Sequence, residues 1–207
     1  IKMNYFLALD TTSPNCCAAL QVGAEIFTRE FAKPAESLAT EVEELLLAQN
    51  LSFQNLSAIL VTNGPGSFSG IRIGLASAAA LALGAKLKIY TASALLAQTL
   101  SIASKERLII STINANENEV YLAAYLTENF KELAPAQVVA KSALRDLVLK
   151  LENQLGLKAQ ILSDQSSKLI TAGLFRAHAS GLAYPEETQL EPLYLKAVNA
   201  KTLAERA

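Results

Sequence analysis

The chain has no tryptophan, one methionine, one histidine and two cysteines. Each shortage excludes something. A structural zinc site draws on about four Cys or His ligands, and Cys16, Cys17 and His178 cannot supply them. The cysteines are adjacent, and neighbours in a strand point to opposite faces, so they do not pair with each other. Without a disulfide framework, the cytoplasm is the expected compartment. A lone histidine between Ala177 and Ala179 reads as a helix-face residue. No Ser-His-Asp set accompanies it, so no catalytic residue and no metal ligand is assigned. Charge is also scarce. Only 18% of residues are charged, and 18 Lys+Arg against 19 Asp+Glu leave a net charge of −1. Such a chain lacks the basic excess with which a module grips nucleic acid by itself. The best apolar run, Ile73 to Ala85, is bounded by Arg72 and Lys86 and falls short of the roughly 18 residues of a membrane span. No membrane partner is expected. Tyr5 to Leu9 reads as a strand and not as a leader; Met3 is read as the native start, with Ile1 and Lys2 as additions ahead of it.

What is abundant is aliphatic. The 207 residues are 51% hydrophobic but only 6% aromatic, which excludes a disordered chain. The length suits one large domain or two small ones. Tyr5 to Asp10 predicts a buried strand opening into a turn, and Cys16 to Val22 with Glu25 to Phe31 a hairpin around Gly23-Ala24. In Pro34 to Asn50, Leu38, Val42, Leu45 and Leu46 fall on one helical face. Ala58 to Val61 is a strand that runs through a glycine-rich loop into a helix over Gly70 to Leu83. Leu87 to Tyr90 and Ser93 to Ala103 predict a further strand and helix. From Arg107 the pattern changes. Strands at Leu108 to Ile113 and Val120 to Leu126 are followed by a helix at Ser142 to Asn153, a strand at Ala159 to Leu162 and a helix at Ser166 to Ala179. No internal repeat is evident. Strands first, then alternation, predict an α/β fold with mixed sheets, divided into lobes of residues 3–105 and 106–207.

Two segments could carry chemistry. Asp10-Thr11-Thr12-Ser13 closes a strand; the acid can orient a metal-bound water or bind a cation, and the hydroxyls and amides can face a phosphate. The same residues also suit a simple Asp turn. Gly64-Pro65-Gly66-Ser67-Phe68-Ser69-Gly70 exposes backbone amides at a helix start, a natural anion site. It lacks the Lys-Ser/Thr of a Walker A loop and the spacing of a dinucleotide loop. A tight turn with close helix packing explains it equally well. A weak phosphate or nucleotide site would use Asp10, Thr11, Thr12, Gly64, Gly66 and Ser67. The helix that follows is apolar nearly all round, with Arg72 and Ser77 as its polar residues. Such a helix is covered on both sides, either by a partner chain or by the second lobe.

These motifs together, strand-DTT, GPGSFSGIRIG on a small-residue helix and NEVYLAAY, resemble the TsaB (YeaZ) family. The likeness is dense from Phe6 to about Tyr125 and returns at Pro192-Leu193-Tyr194-Leu195. It implies the actin/sugar-kinase/heat-shock-chaperone-like (ribonuclease H-like) fold. It also implies a non-catalytic scaffold in threonylcarbamoyladenosine synthesis at adenosine 37 of bacterial tRNA. The family pairs as a heterodimer with a catalytic paralogue, TsaD, through two N-lobe helices, which here are Pro34–Asn50 and Gly70–Leu83. The interface residues so implied are Leu38, Val42, Ile71, Arg72, Leu75, Ala78, Ala79 and Ala82. An ATPase, TsaE, would join near the junction, and tRNA would be met through the complex. The chain would have no cofactor of its own, with any ATP or ADP held at the complex interface. A homodimer through the same helices would form where the partner is missing. Three departures stand out: Pro34-Ala35-Glu36 replaces His-Ser-Glu, Asn114-Ala115-Asn116-Glu117-Asn118 has lost an acid and two arginines, and Leu162-Ser163-Asp164-Gln165 replaces a Gly-Asp-Gly turn. All three weaken a site between the lobes. The alternative is an enzyme acting alone, a nucleotide-dependent transferase or glycoprotease-like peptidase, which would need a base or metal centre the residues do not offer.

Overall fold

The computed structural model describes residues 4–186 and 190–196; Met3, read as the native start, and the two residues ahead of it lie outside them. The chain opens with an antiparallel meander, β1 (Tyr5–Asp10), β2 (Cys16–Val22) and β3 (Glu25–Phe31). Gly23, at φ 63°, occupies the two-residue turn between the last two, where a positive φ matches the twist of the strands. α1 (Pro34–Leu47) follows, then a 3-10 turn (Phe53–Asn55) and β4 (Ala58–Thr62), parallel to β1. α2 (Phe68–Ala85) leads to β5 (Lys88–Ala92), parallel to β4, and to α3 (Ala94–Leu100).

The second sheet repeats this plan. β6 (Leu108–Asn114), β7 (Glu119–Leu126) and β8 (Glu132–Ala140) form a meander, and after α4 (Lys141–Leu155) β9 (Ala159–Ser163) lies parallel to β6. α5 (Ser167–Ala179) and β10 (Tyr184–Glu186) complete the described elements. The strand orders are β10-β5-β4-β1-β2-β3 and β8-β7-β6-β9. This is the two-lobed, mixed-sheet α/β architecture of the actin-like, ribonuclease H-like fold that the resemblance implied. The sequence reading missed β8, which contains Pro135. A proline cannot donate to a ladder, and β8 tolerates it because it lies at a sheet edge.

A division at residue 105 falls between α3 and β6, where the chain first crosses to the second sheet. The crossing is then reversed. α5 packs on β1 and β2, and β10 pairs with β5, so the described residues after 105 do not form a self-contained lobe. The strand faces explain this return. On β1, Leu7 and Leu9 face α1 and α2, while Ala8 faces α5 with Ala19 and Leu60. Small residues on that second face let a helix sit close. α5 answers with Gly173 beside α3, where an added Cβ would lie 1.8 Å from Ala97 O. α3 is buried along its length and bridges the two sheets, touching α5, β6 and β7.

The two cysteines diverge as expected. Cys16 joins the core under α1 and α2, and Cys17 Sγ accepts from Thr171 Oγ1 on α5. Burial, with help from Asp10 and Cys17, pushes the Cys16 thiol up to about 11, and burial does the same for Cys17. His178 on α5 lies between the rings of Phe6 (4.7 Å) and Tyr90 (4.6 Å). Burial there holds its pKa below the usual value. The unfolded chain therefore binds the proton first as pH falls. Stability from this site is full above about pH 6.5 and is lost as pH drops from there through the lowered folded pKa. Urea melts between pH 8 and 4.5 are expected to show this loss, and His178→Phe to flatten that part of the profile.

Candidate functional site

The expected residues do meet. Asp10 ends β1, and its Oδ1 accepts from Thr12 N (3.2 Å), Thr12 Oγ1 (2.7 Å) and Thr62 Oγ1 (2.7 Å). The side chain is fully buried, and its Oδ2 has no partner. The glycine-rich loop closes directly over this strand end. Ser67 N donates to Thr12 O at 2.7 Å, and Thr11 Oγ1 donates to Gly70 O at 2.7 Å. Only glycine allows the approach at Gly66, where φ is 154° and a Cβ would fall 2.4 Å from Thr12 O. Ser67 then caps α2, its Oγ accepting from Gly70 N at 3.2 Å. The helix therefore starts at Phe68, ahead of the Gly70 start read from sequence. Of the two readings of this loop, tight turn and close packing describes the contacts made by Thr11, Thr12, Gly66 and Gly70.

Beside the loop, a cleft of about 860 Å³ separates the lobes. Thr12, Gly66 and Ser67 line it, whereas Asp10, Thr11 and Gly64 do not. Across from them stand Asn114, Tyr121, Asp164 and Gln165 from the second lobe. Among the described lining residues the charged ones are Glu30, Asp164 and Lys196, and Lys196 is paired with Glu119. Among the described residues no group of three His, Cys, Asp or Glu side chains could hold a metal. Gln165, which lines the cleft, is held from behind by the buried Gln98. Gln98 Nε2 donates to Ser111 Oγ (2.9 Å), Thr112 O (3.1 Å) and Leu162 O (3.3 Å), and its Oε1 accepts from Gln165 N (3.0 Å). Sequence reasoning passed over Gln98, because a single amide in an apolar helix carries no motif.

The second feature is the outward face of α2. Its inner face, Gly70, Ile71, Gly74, Leu75, Ala78 and Ala82, is buried against the sheet. This corrects the expected interface. Ile71, Leu75, Ala78 and Ala82, with Leu38 and Val42 of α1, belong to the protein's own core and present almost no surface to a second chain. The helical period decides this: these positions recur at i, i+3 or i+4 and so share the stripe that faces the strands. Arg72 and Ala79 are exposed, in company with Ala76, Ala80 and Leu83. Leu83 is 83% exposed. By length and composition α2 could cross a membrane, yet its inner stripe is packed on β4 and β1 as a domain helix is.

The family model described as TsaD, tRNA N6-adenosine threonylcarbamoyltransferase, matches residues 31–200. The chain belongs to this family. Relatives of this TsaD-family chain bear the name that its sequence motifs suggested. A tRNA threonylcarbamoyladenosine biosynthesis protein TsaB from Haemophilus influenzae is 31% identical over 130 residues, covering 60% of this chain and 55% of that protein. The TsaB of Escherichia coli is 33% identical over 127 residues, covering 58% and 54%. The match thus spans about half the length of these curated relatives. YeaZ from Pseudomonas aeruginosa has the same fold, with a TM-score of 0.70 at 22% identity over 93% of this chain and 100% of that one. In the TsaD-family chain two of the segments that diverge from the TsaB motifs line the cleft, through Asn114, Ala115, Asp164 and Gln165, whereas Pro34-Ala35-Glu36 opens α1 and does not line it. Asp164, at φ 43°, accepts from Asn114 N at 2.7 Å, so two of the altered segments are bonded to each other.

Proposed function

We propose that this TsaD-family chain is a non-catalytic scaffold subunit of the threonylcarbamoyladenosine machinery, working in the cytoplasm and paired with the catalytic paralogue TsaD. The observation that carries it is the outward face of α2, with Ala76, Ala79, Ala80 and Leu83 open on a helix whose inner face is already filled. A face of small residues lets a second helix approach closely, and Leu83 supplies the apolar anchor. The buried Asp10 supports a role without chemistry of its own, since its Oδ1 is taken up by Thr12 and by Thr62 of β4 and it does not line the cleft. A lining whose lysine is paired offers phosphates little, which favours no resident nucleotide. TsaE and tRNA would then be met by the assembled pair.

The test uses purified protein with the TsaD of the same source. Ala79→Glu and Leu83→Glu are expected to weaken pairing at least about thirtyfold, a loss of about 2 kcal/mol at a central contact. Their melting temperatures should stay near wild type, because both sites are exposed. Threonylcarbamoyladenosine synthesis should need this chain and fail with the variants. Folded variants that pair with unchanged affinity would sink the reading, as would transfer activity of this chain alone.

A further inference from the structure

Residues 190–196 run along the cleft and touch both lobes. On the first lobe their attachments are many. Leu190 packs on the core under α1 and α2. Leu193 N donates to Asn63 O at 2.7 Å, and Asn63 Nδ2 donates to Glu191 O at 3.3 Å. A Cβ on Gly64 would meet Leu193 O at 2.8 Å, so segment and loop are in contact. The Tyr194 ring lies 4.8 Å from Phe68, and its Oη accepts from Arg72 Nε at 3.0 Å. The Arg72 guanidinium covers the Phe68 ring at 4.0 Å.

On the second lobe the attachment is slight. Among the described residues, the polar contact that reaches it is Lys196 Nζ on the Glu119 carboxylate at the start of β7. Asn116 Nδ2 donates to the same oxygen at 2.8 Å. Those two bonds, the lysine's first, hold the Glu119 carboxyl below the usual range. The paired side chains are 38% and 34% exposed. Such pairs contribute little and are screened by salt.

We propose that residues 190–196 are a strap that fastens the two lobes across the cleft, with the Glu119–Lys196 pair as its releasable latch. The imbalance of attachments is the reason. Among the described residues, firm anchors on one lobe and one weak pair on the other give a segment that parts from the second lobe first. Release uncovers a cleft already lined from both sides, by Ser13 and Ser67 on one and by Asn114 and Asp164 on the other. Once the latch is open, Asn63, Gly64, Phe68 and Arg72 alone retain the strap, so Leu193 N–H leaves Asn63 O more often. The strap needs no partner chain, so its failure and that of the scaffold reading are separate.

Amide exchange of the full chain tests it, with Leu193 N–H as reporter of the strap and the amides of β4 as reporters of the core. Glu119→Gln and Lys196→Met should each speed exchange at Leu193 about two- to fivefold, the range of a partly exposed ion pair. The double variant should exchange no faster than either single one. Salt at high concentration should speed the wild type and leave Glu119→Gln unmoved. Tyr194→Ala, which removes a firm anchor, should exceed both single variants. β4 amides should keep their rates throughout. Unchanged exchange at Leu193, additive singles, or Leu193 and β4 accelerating together would each overturn the latch.

Discussion

Gly173→Ala is expected to be the most damaging small substitution in this protein. The new Cβ would stand 1.8 Å from Ala97 O and 2.6 Å from the Ala97 carbonyl carbon. Both atoms belong to the backbone of α3, so no side chain can swing aside. α5 and α3 would have to separate by more than an ångström. That opens the layer in which Leu174, Ala177 and Ile170 of α5 meet Ala97 and Leu100 of α3. Forcing apart packed backbones places the cost near the top of the overpacking range, about 3–4 kcal/mol, which lowers the melting temperature by about 10 °C. Gly84→Ala is the control. It sits in α2 with nothing within 4 Å of its would-be Cβ. There the change is expected to stabilise by about 0.5–1 kcal/mol through helix propensity alone. Thermal melts of the two variants should move in opposite directions.

The second large effect belongs to Gln98→Glu. The residue is fully buried. Its amide nitrogen faces two carbonyl oxygens, those of Thr112 and Leu162, at 3.1 and 3.3 Å. A carboxylate would place negative charge against those oxygens with no cation among the partners of Gln98. The expected cost at neutral pH is about 3–5 kcal/mol, the penalty of an uncompensated buried charge. The sign of its pH dependence follows. The folded-state pKa of the new carboxyl would lie above its unfolded value. The penalty is therefore absent below the unfolded pKa and grows as pH rises. Gln98→Glu should be nearest to wild type around pH 4 and furthest from it at pH 7, in matched denaturant titrations. Gln98→Leu, which leaves the Gln165 amide without its acceptor, should cost about 2 kcal/mol with no such slope.

Much of the fold was legible because local rules and tertiary environment agree here. Short apolar runs broken at Gly23-Ala24 placed β1 to β3, and the Leu38, Val42, Leu45 and Leu46 stripe placed α1. Where they diverge, the sequence misleads. Pro135 argues against a strand and stands in one at an edge. The second lobe repeats the first in strand order without repeating it in residues, since a meander and a crossover need only apolar runs of suitable length. The site was half legible. Asp10 through Thr12 and Gly64 through Ser67 were singled out from residue type alone and do come together. The choice between the phosphate reading and the packing reading was not legible, because a glycine kept for a phosphate and one kept for Thr12 O look the same in a sequence. The α2 interface was the clearest miss. An all-apolar helix hides which stripe is core: of the residues assigned to a partner, Leu38, Val42, Ile71, Leu75, Ala78 and Ala82 are already packed in the core, while Arg72 and Ala79 are open.

The sequence by itself determined that this chain folds as α/β, holds no zinc framework of its own and carries the motifs of the TsaB-like proteins. Those conclusions rest on composition and short-range pattern, which do not depend on where distant residues end up. Only the tertiary structure decided that α5 and β10 return to the first sheet, that α2 shows Ala76, Ala79, Ala80 and Leu83 to the outside, and that residues 190–196 tie the lobes together. Each of these is a contact between residues far apart in the chain. Burial of one helix stripe and pairing across a cleft are set by three-dimensional neighbours, and local sequence does not specify them.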